Sequence, residues 1–455
     1  MISKMLNTVH TKSKKIKSDA RKNQYITELP DDFDLTAEFK RACELIENSN
    51  SNVFITGKAG TGKSTLLQYF RQNTKKKIAV LAPTGIGAIN IKGQTIHSFF
   101  LFPHTFLLKE NIKRHYNTRL FKSLDTIVID EISMVRADMM DAIDYALRIS
   151  RDEMSIPFGG VQVIVFGDLF QLPPVVEREL GEAFQEIYTS PYFFSSKIFG
   201  EAAFKNIELT EIFRQSDERF ISFLDKIRSN MVDEDDFEYL NSRVDNALNI
   251  ESCKNAIILT PTNNVANNIN SKRLNKINHK QYIYEALIEG DFDNKTCPVE
   301  PVLCLKKTAQ VMMMRNDEEK RWVNGTLATV HKLSDDLIEV EIDGVVHEVS
   351  KVKWQKVRYK YSEKKGKIEE KVVGTFLQYP IKLAWAITIH KSQGQTFNNV
   401  IIDVGRGAFA HGQMYVALSR CKKFDGIKLR RPIIHSDIIF DKRICGLKDS
   451  WNTPN

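Results

Sequence analysis

The sequence predicts an α/β protein of two units, each built on a parallel sheet, with an all-β insertion inside the second. Three observations carry this. Short apolar runs at 52–56, 77–82, 125–130 and 162–167 alternate with helical patterns, as buried parallel strands covered on both faces do. A second series of the same kind follows at 255–261, 399–404 and 426–429. Within it, residues 309–379 switch to strand-like alternation, as in Leu337-Ile338-Glu339-Val340-Glu341-Ile342 before a turn at Asp343-Gly344. A length of 455 residues is more than one ordinary domain needs.

Taken in order, regular patterning starts at Asp34-Leu35-Thr36-Ala37-Glu38, a helix start with Thr36 or Asp34 as N-cap, and continues through Ile46. The strand-like Val53-Phe54-Ile55-Thr56 leads into Gly57-Lys58-Ala59-Gly60-Thr61-Gly62-Lys63-Ser64, a complete G-x-x-x-x-G-K-[ST], with Thr65 next in the helix it opens. Glycines let the backbone turn successive N–H groups, with the helix N-terminus, toward phosphate oxygens. Lys63 is spaced to reach the β and γ phosphates, and the Ser64 hydroxyl to bind Mg²⁺.

The run Thr126-Ile127-Val128-Ile129 ends in Asp130-Glu131. Asp130 offers Mg²⁺ a hard oxygen, and Glu131, on the opposite side of the strand, can orient or deprotonate the attacking water. In Gly167-Asp168-Leu169-Phe170-Gln171-Leu172-Pro173-Pro174, the Gln171 amide can touch a γ-phosphate or its water; the plain alternative is a Pro-terminated loop. Charge developing on the γ-phosphate calls for a cation. Arg214 in Phe213-Arg214-Gln215 and Arg420 in Val416-Ala417-Leu418-Ser419-Arg420 are the candidates, each otherwise an ordinary surface ion-pair partner. Arg420 belongs to the second unit, so a nucleotide it reached would pin the two units together.

Lys and Arg number 65 against 57 Asp and Glu, a formal net charge of +8. Residues 1–25 hold seven basic side chains against Asp19, so the other 430 are only +2 and charge alone establishes no nucleic-acid binding. This Lys-rich segment reads as a solvated flexible arm, with a transit peptide as the alternative and no secretory signal core. The six cysteines never form C-x-x-C, which argues against a zinc finger or disulfide scaffold and for a reducing compartment. No apolar run reaches the roughly 18 residues that span a bilayer.

The ordered set 57–64, Asp130-Glu131-Ile132-Ser133-Met134, Phe158-Gly159-Gly160-Val161-Gln162, 167–174, Phe213-Arg214-Gln215, His390-Lys391-Ser392-Gln393-Gly394-Gln395-Thr396 and 415–420 resembles the Pif family of DNA helicases (petite integration frequency), in the RecD-related branch of superfamily 1. The likeness runs from about residue 34 to 432. It implies RecA-like motor domains, ATP hydrolysis with Mg²⁺, and 5′-to-3′ movement on single-stranded DNA. The implied plan is a basic arm at 1–25, motor domain one at 26–225 with a wedge insertion at about 97–122, and motor domain two at 226–455 with an SH3-like β insertion at about 303–380.

By the same resemblance Lys63, Ser64, Asp130, Glu131, Gln171, Arg214 and Arg420 take the roles above, and Gln393 and Gly394 join the nucleotide site to the DNA track. Ala82-Pro83-Thr84-Gly85, His97-Ser98-Phe99, Thr260-Pro261-Thr262-Asn263 and Thr388-Ile389-His390-Lys391 resemble DNA-contacting motifs. Forked and G-rich folded DNA are implied substrates, in repair, recombination or telomere maintenance, with a monomer sufficing. The implied location is the cytoplasm of a bacterium, or the nucleus or mitochondrion of a eukaryote. Phe39 stands where superfamily 1 usually places an adenine-reading glutamine, leaving adenine to other groups, including Gln24; Thr308 stands where a turn glycine is expected. The long terminal extensions of some members have no counterpart, so no extra partner-binding domain is expected.

A nearly neutral body can hold single strands by backbone-directed groups and stacking rings. Phe99, Phe100, Phe102 and Phe106 supply either core or a base platform. Residues 351–371, net +6 with Trp354, Tyr359 and Tyr361 interleaved, and residues 420–431, net +5, are either solvated faces or DNA contacts. Two other functions stay open. One is an RNA-directed superfamily 1 helicase, since these motifs do not see the 2′-hydroxyl. The other is a P-loop switch or kinase without translocation, against which the second unit and the lack of a guanine-reading Asn-Lys-x-Asp count.

Overall fold

Alternate residues of a strand face opposite ways, and here each face meets its own layer of helices. The computed structural model describes residues 35–445 and 447, apart from 104, 177–180, 216, 246–255, 293–296 and 363–366. The basic arm at 1–25, with Gln24, lies outside the described residues. Strands β1 (Val53–Gly57), β2 (Ile78–Ala82), β3 (Gln94–Thr95), β4 (Thr126–Ile129), β5 (Gln162–Phe166) and β6 (Lys205–Leu209) form one sheet in the order β3-β2-β4-β5-β1-β6. Every pairing is parallel.

Val53, Ile55, Val80 and Val128 pack on one side against Phe39, Ala42, Leu66 and Phe70 of helices Ala37–Asn48 and Lys63–Asn73. Phe54, Ile127, Ile129 and Val163 pack on the other against Met140, Ile143 and Leu147 of helix Ala137–Arg151. Thr36 caps the first helix, its Oγ1 accepting from Phe39 N–H at 3.2 Å. Strand β6 alternates because it is an edge, and short β3 left no apolar signal. The Phe-Gly-Gly-Val-Gln stretch is a fold device. Phe158 and Gly159 take φ of 53° and 58° to turn helix Ala137–Arg151 into β5, and Gln162 Oε1 accepts from Lys76 Nζ and Thr126 Oγ1 at 2.8 and 2.9 Å.

Strand β7 (Ile257–Thr260) belongs to the second sheet. The insertion follows as β8 (Gln281–Glu285), β9 (Leu287–Gly290), β10 (Val302–Lys306), β11 (Gln310–Met313), β12 (Leu327–Leu333), β13 (Ile338–Ile342), β14 (Val345–Val349), β15 (Val352–Ser362), β16 (Lys367–Gln378) and β17 (Ile381–Leu383). The second sheet resumes with β18 (Ala386–Thr388), β19 (Val400–Ile402) and β20 (Ile427–Leu429), in the all-parallel order β18-β7-β19-β20. The β-rich part thus begins near 281 rather than 303; β8 pairs with β10 but buries only Tyr284 fully, so its apolar pattern is weak. Thr308 takes φ 68° in the turn where glycine was expected.

Helix Glu218–Ser229 runs across the boundary placed between 225 and 226. Its Phe220 and Phe223 sit 5.8 and 6.5 Å from Phe424, within a cluster shared by both units. The ribbon β15–β16 also reaches back to the first unit. Tyr359 packs edge-on to Phe99 at 5.9 Å, and its hydroxyl accepts from Val80 N–H at 3.2 Å and donates to Val80 O at 3.4 Å. No helix of the described residues is long and apolar enough to cross a membrane.

Candidate nucleotide site and nucleic-acid face

Open parallel sheets gather ligands at the carboxyl ends of their strands. The predicted site residues follow that rule. The phosphate loop follows β1, Pro83-Thr84-Gly85 follow β2, Asp130-Glu131 follow β4, Gly167 follows β5, Thr260 closes β7 and Thr388 closes β18. Gly60 and Gly62 have φ of 89° and 77°, and a Cβ on them would come within 2.6 Å of Arg214 and 2.9 Å of Phe39. Only glycine forms this cradle. Lys63 Nζ donates to Gly57 O at 2.7 Å and Lys58 O at 2.9 Å, and burial brings its ammonium down to about 8 despite Asp168 and Glu131 nearby. Phosphate oxygens offer that ammonium a better partner than the loop's own carbonyls.

Asp130 is buried at the end of β4, its Oδ1 accepting from Glu131 N–H at 2.9 Å. Glu131 has φ 52°, a left-handed conformation that a non-glycine adopts where the surroundings impose it. Burial raises both carboxyls, with Asp130 adding to the rise at Glu131. Gln393 Nε2, from the loop after β18, donates to Glu131 Oε2 at 2.7 Å and to Gln171 Oε1 at 3.1 Å. The two units therefore meet at the acid pair itself.

The arginines converge from opposite sides. Arg214 Nη1 reaches Ser419 O at 3.4 Å, and Gln215 Nε2 donates to Ser419 O and Cys421 O at 3.2 and 3.3 Å. Arg420 is 1% exposed and donates to Val416 O, Gln395 O and Ser419 Oγ at 2.9, 3.2 and 2.8 Å. Burial, then the charge of Arg214, pushes it down to about 9. It is no surface ion-pair partner: a guanidinium has been brought deep into the junction and bonded to neutral groups. Arg228, which no motif singles out, pairs with buried Asp168 at 3.3 Å.

A family model described as PIF1-like helicase matches residues 34–236, and one described as UvrD-like helicase C-terminal domain matches 383–423. The ATP-dependent DNA helicase Pif1 of Bdellovibrio bacteriovorus is 32% identical over 411 residues, 88% of this chain and 88% of its own. The chain belongs to the PIF1-like helicase family. The structure of Bacteroides sp Pif1 in complex with ADP-AlF4 matches this PIF1-like helicase with a TM-score of 0.85 at 36% identity, covering 92% of this chain and 97% of that one. Bacteroides Pif1 bound to ssDNA matches with a TM-score of 0.67 at 37% identity over 92% and 97%. The two parallel sheets are RecA-like motor folds.

Of the residues expected to contact DNA, this PIF1-like helicase keeps Thr262, Asn263 and Lys391 exposed, with Pro83, Thr84, Gly85, His97 and His390 half-buried. Three hydroxyls already have local partners. Thr84 Oγ1 caps the following helix, accepting from Gly87 N–H at 3.0 Å. Thr388 Oγ1 accepts from Lys391 N–H at 3.2 Å, and Thr260 Oγ1 donates to Thr262 O at 3.2 Å. His390 stacks on Phe409, which is 59% exposed and carries no motif signal.

The structure corrects several expectations. Phe99, read as a DNA contact, is 3% exposed and packed on Phe100, Phe121 and Tyr359 at 4.9, 5.2 and 5.9 Å; Phe100 and Phe102 are buried with it. These rings are core. In 351–371 the rings of Trp354 and Tyr359 are likewise buried, while Lys353 pairs with Glu289, and Lys356 and Arg358 with Asp291. In 420–431, Lys428, Arg430 and Arg431 pair with Asp245, Asp403 and Asp437. Side chains that alternate in sequence face opposite sides of a strand, so aromatic and charged groups here do not form one binding surface.

Proposed function

We propose that this PIF1-like helicase, an ATP-hydrolysing DNA helicase by family, closes its two motor domains on ATP and steps 5′-to-3′ along single-stranded DNA. The observation that carries the reading is the meeting at the acid pair, where Gln393 of the second motor reaches Glu131 and Gln171 of the first. Lys63 and the loop amides of Gly60, Thr61, Gly62, Ser64 and Thr65 hold the phosphates, while the Ala59 amide donates to the Tyr415 hydroxyl at 2.9 Å. Glu131 takes the proton of the attacking water, Gln171 orients that water, and Arg214 and Arg420 meet the charge developing on the γ-phosphate. Ser64 and Asp130 supply the hard oxygens that suit Mg²⁺, which when bound neutralises phosphate charge.

Gln393 lies two residues after Lys391 in the loop after β18, and Gly394, with φ 77°, turns the chain immediately after Gln393 has reached the acid pair. Strand contact at Lys391 is thereby tied to Glu131 through a short stretch of chain. A monomer suffices in this reading, with Lys63, Glu131, Gln171, Gln393 and Arg420 supplied by the one chain. Forked and G-rich folded DNA are the substrates, and the location follows the host: cytoplasm in a bacterium, nucleus or mitochondrion in a eukaryote.

The test is ATP turnover with matched DNA and RNA single strands. DNA is expected to stimulate strongly and RNA weakly. Equal stimulation by RNA would favour an RNA-directed helicase, and no stimulation by either would favour a non-translocating switch.

A further inference from the structure

One buried polar cluster joins the two motors beside the groups above, touching them at Ala59 and where Gln171 Nε2 donates to Asp168 Oδ2 at 3.5 Å. Tyr415, on helix Gln413–Leu418 of the second motor, accepts from Ala59 N–H of the phosphate loop at 2.9 Å and donates to Asp168 Oδ2 at 3.1 Å. Asp168 Oδ1 in turn accepts from Phe170 N–H at 3.2 Å and from Arg228 Nη2 and Nε at 3.3 and 3.4 Å. The Arg228 guanidinium lies 4.1 Å above the Phe170 ring. Tyr415, Asp168 and Arg228 are 3%, 2% and 6% exposed.

The protonation states are fixed. Burial, with the charge of Asp168 next, lifts the Tyr415 hydroxyl far above its ordinary value, so it keeps its proton. Burial opposes charge on Asp168, but Arg228 and Lys63 outweigh it and hold the carboxyl below its ordinary value. The hydroxyl thus has one proton to give and lone pairs to receive, and its two partners use them in a single direction. A buried network with every member satisfied specifies one arrangement. A phenyl ring at 415 would fill the same space but would not fix how the helix sits against the loop. That helix is immediately followed by Ser419 and Arg420, and Arg420 is anchored back on it through Val416 O.

We propose that Tyr415 is a positioning residue for ATP hydrolysis: its hydroxyl ties the helix leading to Arg420 to Ala59 and Asp168, and so sets the arginine's reach to the γ-phosphate. The inference rests on the reading of Arg420 as the arginine that meets the γ-phosphate. It concerns the hydroxyl and not the ring, which separates positioning from packing.

The test is steady-state ATP turnover with saturating single-stranded DNA for Tyr415→Phe, Arg420→Ala and the double variant. Tyr415→Phe is expected to lower kcat about tenfold while KM for ATP, affinity for a non-hydrolysable ATP analogue and affinity for DNA stay within about twofold. Retained DNA affinity shows that the variant is folded. In the double variant the Tyr415→Phe loss is expected to vanish, because the hydroxyl acts through Arg420. An unchanged kcat in Tyr415→Phe, or a loss that multiplies with that of Arg420→Ala, overturns the proposal. Normal turnover of Arg420→Ala alone defeats the underlying reading of Arg420 and is seen separately.

Discussion

Lys63 and Glu131 carry the chemistry at the smallest scale, and their surroundings say what losing each would do. Lys63 is the ammonium facing the phosphate cradle, so Lys63→Ala is expected to lose ATP binding and DNA-stimulated turnover together. Glu131 is proposed as the base, so Glu131→Gln should keep ATP binding and lose turnover by about 10²–10⁴-fold, the range of a general base. Turnover and nucleotide-binding measurements on the folded variants check both, and normal turnover in either rejects its assignment. The phosphate loop and acid pair were legible because their spacing is the chemistry: eight consecutive positions, then two acids at a strand end. Arg228 was not, since a single arginine in an amphipathic helix resembles any other until the fold sets it on Asp168. Phe99 was legible only as an alternative, core or platform, and burial decided for core.

At the scale of elements, the ribbon β15–β16 shows what sequence pattern alone cannot give. Its alternation marked a strand, but not that Tyr359 would close an open edge in another sheet. Strand β3 is only two residues long and its register with β2 starts at Leu81↔Gln94, so the Tyr359 hydroxyl meets Val80 N–H and C=O where that pairing begins. Tyr359→Phe keeps the ring and leaves those two buried backbone groups without that partner, an expected loss of about 1–3 kcal/mol in stability. Denaturant unfolding measures it, and an unchanged midpoint would show that the hydroxyl is not holding the ribbon. The same element limits the charge argument. Because Lys353, Lys356 and Arg358 pair with Glu289 and Asp291, replacing all three with alanine is expected to change the salt slope of single-strand affinity by less than about one unit. A slope flattened by two or more would return this ribbon to the DNA path. The first sheet was read nearly whole from its apolar runs, whereas edge strands β3 and β6 were too short or too polar to stand out.

For the whole molecule, the central feature is that one catalytic constellation is divided between two motors. Neither sheet holds a complete site: the phosphate loop, acid pair and Gln171 belong to the first, and Gln393, Tyr415 and Arg420 to the second. In the mechanism proposed, opening the junction would separate Glu131 from Gln393 and so couple hydrolysis to relative movement of the motors. The net charge of +8 says little about this junction, since much of it lies in the first 25 residues, and Lys353, Lys356, Arg358, Lys428, Arg430 and Arg431 of the two basic clusters pair with acids. The order of phosphate-handling motifs identified the function, and the fold supplied the junction. The measurement that bears most directly on it is strand separation of DNA duplexes carrying a 5′ or a 3′ single-stranded overhang, with and without ATP. ATP-dependent separation from the 5′ overhang, abolished by Lys63→Ala, is the expected result. Separation only from the 3′ overhang, or separation that proceeds equally without ATP, would contradict it.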